Sequence, residues 1–383
     1  MSEIISTEGL GIPVEVGAID SQLKKLWEAD EASTNASLMN FLVYTEDPSK
    51  LQENSETIQE LTREHACRAV LIAMNRNATE VKVEAWITAH CHLAHGKKSI
   101  CSEQVSFLLH GKSLGRLRNT VFAHLNSDLP LVFWWQGEFS DLFEERLYRL
   151  LNRLIFDSST WSDPKAGFRR LLEVREDTKG GVVTQDLAWT RSYFYRLAVA
   201  RLFDEPMAQK SFPGIESVRL KARSQHRTAA LLLLAWVITR SGWSVQTQES
   251  DRVILESREG RRVVAELNWD DEGAPISELE ISAPNCKVRI SREAGNSHLC
   301  QSICADDHCV ELSGPADSDE AAGLVASQLS RGGKNSLSFM FFLNSWSCSK
   351  EEVEKSELFG LIFYCQVLRA ALSPARSKNC MAH

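Results

Sequence analysis

Short apolar runs alternate with amphipathic stretches along the first half of the chain. Runs of four to eight apolar and β-branched residues between polar ones predict buried strands, and a 3.6-residue period predicts helices. A leader with one predicted helix, at 19–30, precedes these strands and helices. Because strands then alternate with helices, we expect an α/β layer with a mostly parallel or mixed sheet. The predicted strands are 38–46, 67–74, 81–93, 101–111, 129–135 and 155–159, and the predicted helices are 47–63, 114–125, 140–154 and 164–173.

The second half of the chain has a different pattern. A helix from Leu187 to Phe203 and a long helix from Ser224 to Arg240 come first, and Ser241-Gly242 ends the second. Several strand-like segments then follow from 243 to 310, which predicts an antiparallel sheet with helices, an α+β domain. Further helices are predicted near 320–329 and 350–372. The predicted organisation is a leader (1–36), an N-terminal α/β domain (37–175), a C-terminal α+β domain (176–372) and a disordered tail (373–383).

Composition and charge narrow the class of protein. The chain has 383 residues, of which 43% are hydrophobic and 25% charged, and a net charge of -8. This charge argues against nucleic acid as a partner. The longest apolar run, 229–238, is far short of the ~20 residues of a membrane span. The first 17 residues hold acids and no basic region, unlike a secretory signal. We therefore expect a cytoplasmic protein, away from membranes, whose ten cysteines are mostly reduced.

Two short motifs resemble phosphate-binding loops without completing them. HGKS at 110–113 lacks the earlier glycine of a P-loop, since that position is Ser106. In GLG at 10–12 the third glycine of a dinucleotide fingerprint falls on Glu15. A Ser-His-Asp set, a nucleophile elbow and a paired-carboxylate motif at a strand end are not visible either. The sequence therefore offers no complete catalytic constellation, and we assign no catalytic or cofactor-binding residues.

Two groups of soft side chains are candidates for metal or redox chemistry. His90 and His92 point the same way on a strand, but the spacing of the first group fits no established zinc pattern. The second group has C-x3-C-x4-C spacing and lacks C-x-x-C knuckles. We favour ordinary residues over metal ligands in both, and keep a reversible thiol pair as an alternative in the second. The groups are His90, Cys91, His92, His95 and Cys101, and Cys300, Cys304, His308 and Cys309.

Three further features are candidates for binding. Asp157-Ser158-Ser159 follows an apolar strand, where ligands bind in α/β sheets, although capping of the next helix is the interpretation we favour. On a single helix Arg191, Arg196 and Arg201 would point in three directions, which favours separate ion pairs or partner contacts. Trp134 and Trp135 face opposite sides of a strand; we favour core packing for both, with partner contact by one as the alternative.

Several segments in order resemble one known family. They are REHACRAVLI (63–72), CSEQVSFLLHG (101–111), SDLPLVFWWQG (127–137), RLIFDSSTWSDP (153–164), DLAWTRSYFYRLAVARLFD (186–204) and RTAALLLLAWVITRSGW (227–243). Together they are similar to the glucose-6-phosphate dehydrogenase assembly proteins, the OpcA proteins of cyanobacteria and actinobacteria. The resemblance covers about 60–245. One departure is Ala66, where the family's block has a proline.

The resemblance implies a non-catalytic protein partner of glucose-6-phosphate dehydrogenase. Such proteins promote the enzyme's active oligomer or activate it allosterically, and in photosynthetic bacteria they are linked to redox control. The candidate interface or signature residues are Trp134, Trp135, Asp157, Ser158, Asp186, Trp189, Arg191 and Arg196, and the candidate redox thiols are Cys300, Cys304 and Cys309.

Two other classes remain open at this point. An enzyme acting on sugar phosphates through Asp157-Ser158-Ser159 would show turnover by the purified protein alone. A sensor of a metabolite or metal through the histidine-cysteine group would hold stoichiometric metal or ligand.

Overall fold

The helices and strands come from a computed structural model, which describes residues 9–28, 34–35, 37–94, 97–111, 122–306 and 308–331. The described residues divide into two compact units. The first unit holds those up to Asp157, Val174–Thr184 and those from Val325 on; the second holds Ser158–Glu173 and Gln185–Leu324. The domain boundaries predicted from the sequence remain predictions. The predicted tail at 373–383 and helix at 350–372 lie outside the described residues, as does most of the predicted helix 114–125.

The first unit contains a nine-stranded mixed sheet. Its order is β1-β5-β6-β4-β3-β7-β8-β9, with β2 paired to β6. The pairs β3–β4, β3–β7, β4–β6, β7–β8 and β2–β6 are parallel, while β1–β5 and β5–β6 are antiparallel. The strands are β1 (Ile12–Pro13), β2 (Thr34–Asn35), β3 (Asn40–Thr45), β4 (Arg68–Asn75), β5 (Val83–Ala94), β6 (Lys97–His110), β7 (Leu131–Trp135), β8 (Arg153–Phe156) and β9 (Val183–Asp186).

The second unit contains an eight-stranded, mostly antiparallel sheet. Its order is β11-β12-β13-β10-β14-β15-β16-β17, and β10–β13 is its parallel pair. The mixed α/β unit and the α+β unit confirm the predicted fold class. The strands are β10 (Ser217–Arg223), β11 (Ser244–Glu249), β12 (Arg252–Glu256), β13 (Arg262–Asp270), β14 (Ile276–Ala283), β15 (Cys286–Ser291), β16 (His298–Ala305) and β17 (His308–Pro315).

The helices of the described residues complete both units. Within these residues, none is long and apolar enough to cross a membrane. The α-helices are α1 (Ile19–Glu28), α2 (Leu51–Leu61), α3 (Glu145–Tyr148), α4 (Pro164–Asp177), α5 (Leu187–Thr190), α6 (Tyr193–Phe203), α7 (Pro206–Ser211), α8 (Arg227–Ser241) and α9 (Ala321–Ser330), and the short 3-10 helices are Val16–Ala18, Pro48–Lys50, Phe122–His124, Ser158–Thr160, Phe212–Gly214 and Ser224–His226.

Local sequence explains two of these elements, β3 and the end of α8. All six residues of β3 are buried, as expected for a strand between two parallel neighbours. The predicted end of α8 is confirmed, because Gly242 takes a left-handed φ of 69° that a residue with a side chain adopts only at a cost.

The predicted amphipathic helix at 140–154 is wrong. Only Glu145–Tyr148 is α-helical. Asn152 exchanges hydrogen bonds with Leu131 instead: its N–H donates to the Leu131 carbonyl (3.0 Å) and its side-chain oxygen accepts from the Leu131 N–H (2.7 Å). Because Asn152 pairs with β7, the chain continues as the strand β8 and the helix ends early.

Trp135 is the largest fully buried side chain of the chain's described part. Its ring lies 4.3 Å from that of Tyr44 and 5.2 Å from that of Phe143, between ring centroids, and its indole N–H donates to the Glu138 carbonyl (2.9 Å). Trp134 is also buried, with 4% of its surface exposed. The burial of both rings favours core packing over the partner contact considered for one of them.

We predict that Trp135→Ala destabilises the first unit rather than removing a contact surface. Loss of a buried indole should lower the free energy of unfolding by about 3–5 kcal/mol. The matched control is Leu150→Ala at an exposed position, which should change it by less than about 0.5 kcal/mol. Urea unfolding followed by circular dichroism measures both. A stable Trp135→Ala variant would contradict the assignment of this ring to the core.

Candidate functional site

Asp186 is the centre of a buried polar cluster in the second unit. Its carboxylate is fully buried at the end of β9. It accepts hydrogen bonds from the Ser158 N–H (3.0 Å), the Ser158 hydroxyl (2.6 Å) and the Ala188 N–H (2.9 Å). The last of these makes Asp186 the N-cap of α5. One carboxylate therefore joins the 3-10 helix Ser158–Thr160 to the start of α5.

The segment after Asp186 forms two helices where the sequence predicted one. Ser192 lies at the break, and its hydroxyl donates to the Trp189 carbonyl (3.0 Å). The guanidinium carbon of Arg196 lies 3.4 Å from the centre of the Trp189 ring, and its Nη1 donates to the Trp189 carbonyl (2.8 Å) and to the Ser192 hydroxyl. This cation–π contact and these bonds fix the direction in which α6 leaves α5.

The structure brings some of the sequence candidates together and separates others. Ser158 contacts Asp186, Arg196 contacts Trp189, and Arg191 is buried where α5 meets α6; we call these five residues the signature cluster. Trp134 and Trp135 lie in the core of the first unit, and Asp157 is the last residue of that unit before Ser158. The α-helix that begins at Pro164 is capped by Asp163, which accepts from the Ala166 N–H (3.0 Å), and capping by Asp157-Ser158-Ser159 stays a prediction for the 3-10 helix Ser158–Thr160. Arg201 is exposed.

A cavity of about 410 Å³ lies in the same unit as the signature cluster. The 3-10 helix Ser158–Thr160, α5 and α8 pack against one another, and the cavity lies where the residues after this 3-10 helix meet the start of α8. Its lining includes Ser159, Trp161 and Lys165 from one side and Ser224, Arg227 and Thr228 from the other. Sequence reasoning missed Lys165 and Arg227. Their one sequence signal is that each stands in the first turn of a helix.

The histidine-cysteine group is engaged within the protein. His90 Nε2 lies 2.8 Å from the side-chain oxygen of Gln104, and His92 Nε2 lies 3.0 Å from the Thr62 hydroxyl. Among the residues that the structure describes, there is no group of three or more side chains able to hold a metal ion. His95 lies outside those residues. Burial lowers the pKa of His90, against the effect of the hydrogen bond that its ring N–H donates to Gln104, and burial together with Arg63 lowers the pKa of His92.

Within the described residues four cysteines form two disulfides, although mostly reduced cysteines were expected. Cys91 pairs with Cys101 and Cys304 with Cys309, with Cα atoms 4.2 Å and 4.1 Å apart. In each case the two residues are direct partners in the register of adjacent antiparallel strands, β5–β6 and β16–β17. Directly opposite residues reach this separation in non-hydrogen-bonded pairs. The third candidate thiol, Cys300, is free and exposed on β16.

The fold and the candidate site together define a class of protein with two structural units. It has an α/β unit and an α+β unit, and most of its signature residues support one another in the interior of the second unit. The chain belongs to the OpcA family. Two family models match it: residues 58–173 match the N-terminal domain, and residues 182–337 the C-terminal domain, of what both models describe as a glucose-6-phosphate dehydrogenase subunit.

Curated relatives carry the same family name. A putative OxPP cycle protein OpcA of Nostoc punctiforme is 26% identical over 306 residues, which is 73% of this chain and 64% of that protein. One from Synechococcus elongatus is 22% identical over 72% of this chain and 66% of that protein. The chain thus spans slightly less than two thirds of the length of these relatives.

Solved structures show a weaker similarity. KijD10, a 3-ketoreductase from Actinomadura kijaniata, is 10% identical with a TM-score of 0.44, over 87% of this chain and 96% of that one. Aldose-aldose oxidoreductase from Caulobacter crescentus is 9% identical with a TM-score of 0.43, over the same shares. We transfer no activity from either.

We predict that Asp186→Ala destabilises the second unit by about 2–3 kcal/mol, because it leaves two buried N–H groups and one buried hydroxyl without their acceptor. Ser158→Ala is the matched control: it removes one hydroxyl and keeps the backbone N–H, so it should cost about 1 kcal/mol. Denaturant unfolding of both variants measures the difference. Equal effects would show that Asp186 is not the centre of the cluster.

We predict that His90 contributes to acid destabilisation. Because the fold lowers its pKa, the unfolded chain binds a proton at a pH where the folded chain does not. Stability should fall as the pH decreases below about 6.5, by up to about 1.4 kcal/mol per pH unit from this group. His90→Gln should therefore flatten the pH dependence of Tm between about pH 7 and pH 5, with the wild-type chain over the same range as the reference. An unchanged slope in His90→Gln would rule out this contribution.

Proposed function

We propose that this protein is a non-catalytic partner of glucose-6-phosphate dehydrogenase that promotes the enzyme's active oligomer in the oxidative pentose phosphate pathway. The observation that carries the proposal is the pair of family matches, 58–173 and 182–337, whose descriptions both name a subunit of this dehydrogenase. The names of the curated relatives, which refer to the OxPP cycle, support the same pathway. The cytoplasm is the location predicted from the sequence.

Four of the five residues of the signature cluster are buried and Arg196 is half-buried, which supports a role without catalysis. Catalytic groups must reach a substrate, whereas the Asp186 carboxylate is fully buried and accepts three hydrogen bonds from its own chain. Arg196 likewise contacts Trp189 and Ser192 of the same unit. Residues that contact one another in this way hold the local structure in one conformation. Recognition by another protein requires a surface of defined shape.

Activation by a partner follows from differential binding. A protein that binds the active form of the enzyme more tightly than the inactive form shifts the enzyme toward the active form. A tenfold preference corresponds to about 1.4 kcal/mol. A few desolvated aromatic or arginine contacts in an interface of ordinary size supply this difference.

The test is a kinetic titration of the glucose-6-phosphate dehydrogenase from the same organism. NADPH formation is followed at subsaturating glucose 6-phosphate while this protein is added. We expect a saturable fall in apparent KM or a rise in kcat, because either is the signature of a shifted equilibrium. A flat titration would contradict the proposal. The protein alone is the control, and turnover without the dehydrogenase would favour the enzyme class instead.

We further propose that activation depends on the redox state of the Cys304–Cys309 pair, which joins β16 to the edge strand β17. The same titration is repeated with dithiothreitol. We expect the activation curve to change with reductant, because reduction releases the covalent link between these strands. The double variant Cys304→Ser, Cys309→Ser should remove that dependence. Cys300→Ser is the matched control and should retain it. Curves that coincide with and without reductant would contradict redox control.

A further inference from the structure

The 410 Å³ cavity of the second unit has the size of a small-ligand site. Two positively charged side chains, Lys165 and Arg227, are part of its lining. Arg227 is fixed in position: its Nη1 lies 3.3 Å from the carboxylate of Asp251, and its guanidinium carbon lies 4.4 Å from the centre of the Trp269 ring. A guanidinium held in one orientation loses little conformational entropy when it binds an anion.

The acidic residue of the lining, Asp163, is engaged as a helix cap. Asp163 caps α4 by accepting the Ala166 N–H at 3.0 Å, so part of its charge is compensated there. The remaining polar lining consists of an amide and hydroxyls, which donate and accept hydrogen bonds without net charge. These residues are Ser159, Ser162, Ser224, Gln225 and Thr228. The lining therefore holds two cationic side chains and one carboxylate beside the side chains that recognise hydroxyl groups, and the charge of Arg227 is shared with Asp251.

Two long helices begin at this cavity. Pro164 is the first residue of α4 and Arg227 the first of α8, helices of 14 and 15 residues, and both residues line the cavity. The partial positive charge at a helix N-terminus adds to that of nearby cationic side chains. The N-termini of α4 and α8 thus add to the preference of Lys165 and Arg227 for an anion.

An apolar wall completes the cavity. Trp161 and Leu231 both contribute to the lining. The Trp161 ring is held at an edge-on angle to Phe168, with centroids 5.4 Å apart, and a Cβ at Gly167 would come within 2.4 Å of it. The Trp161 ring therefore packs directly against α4 at Gly167.

We propose that the cavity binds a small phosphate ester with a hydroxylated body, the class of a monosaccharide phosphate. The phosphate lies against Lys165 and Arg227 at the two helix starts, and the hydroxyl groups of the body bond to the serines and Gln225. The inference goes beyond the proposed partner role, because it assigns a ligand to this chain alone.

Isothermal titration calorimetry on the full chain tests the inference with three probes: glucose 6-phosphate, glucose and inorganic phosphate, each up to millimolar concentration. We expect one molecule of glucose 6-phosphate to bind per chain, and the other two to bind at least tenfold more weakly. Lys165→Gln should weaken glucose 6-phosphate binding about tenfold, or about 1.4 kcal/mol. Lys210→Gln, at an exposed lysine outside the lining, is the matched control and should bind as the wild type does.

Gly167→Ala is a second variant that tests the wall rather than the charge. It should displace the Trp161 ring and weaken binding while leaving both cationic residues in place.

Absence of binding by all three probes, equal binding by Lys165→Gln and wild type, or glucose or inorganic phosphate binding as tightly as the ester would each overturn the inference. The dehydrogenase is not in the experiment, so failure here leaves the partner proposal intact, and failure of the kinetic titration leaves this inference intact.

Discussion

The buried carboxylate of Asp186 is the constraint on which the candidate site depends. Removing a carboxylate from water is costly unless hydrogen bonds replace the lost hydration, and here the donors come from Ser158 and from Ala188 at the start of α5. Satisfying the charge therefore fixes the 3-10 helix Ser158–Thr160 relative to α5. Because α8 packs on both, this one acceptor also sets the position of the residues that line the cavity.

The sequence predicted those parts of the fold in which local pattern and tertiary environment agree. The apolar runs of β3 and β7 are buried strands, and Gly242 ends α8 as its left-handed conformation requires. The predicted helix at 140–154 was wrong because Asn152 pairs with Leu131, a contact between distant residues that no periodicity reveals. The break at Ser192 has a local cause, since its hydroxyl bonds to the Trp189 carbonyl three residues before it and to Arg196 four residues after it.

The candidate site was predicted in part for a similar reason. Ser158 and Asp186 could be named from the family resemblance, but their bond joins residues 28 positions apart. The cavity was not predicted because its two sides, around Lys165 and Arg227, are distant in sequence, and neither segment carries a distinctive motif. Cysteine pairing depended on strand register: Cys304 and Cys309 bond because β16 and β17 place them directly opposite each other.

If this protein binds the dehydrogenase, as we propose, the two chains should sediment together. Sedimentation velocity is run on the dehydrogenase alone, on this protein alone and on the two together near micromolar concentration. We expect a new, faster species in the mixture that contains both chains, at the expense of the separate ones. A mixture whose profile is the sum of the two separate profiles would contradict it.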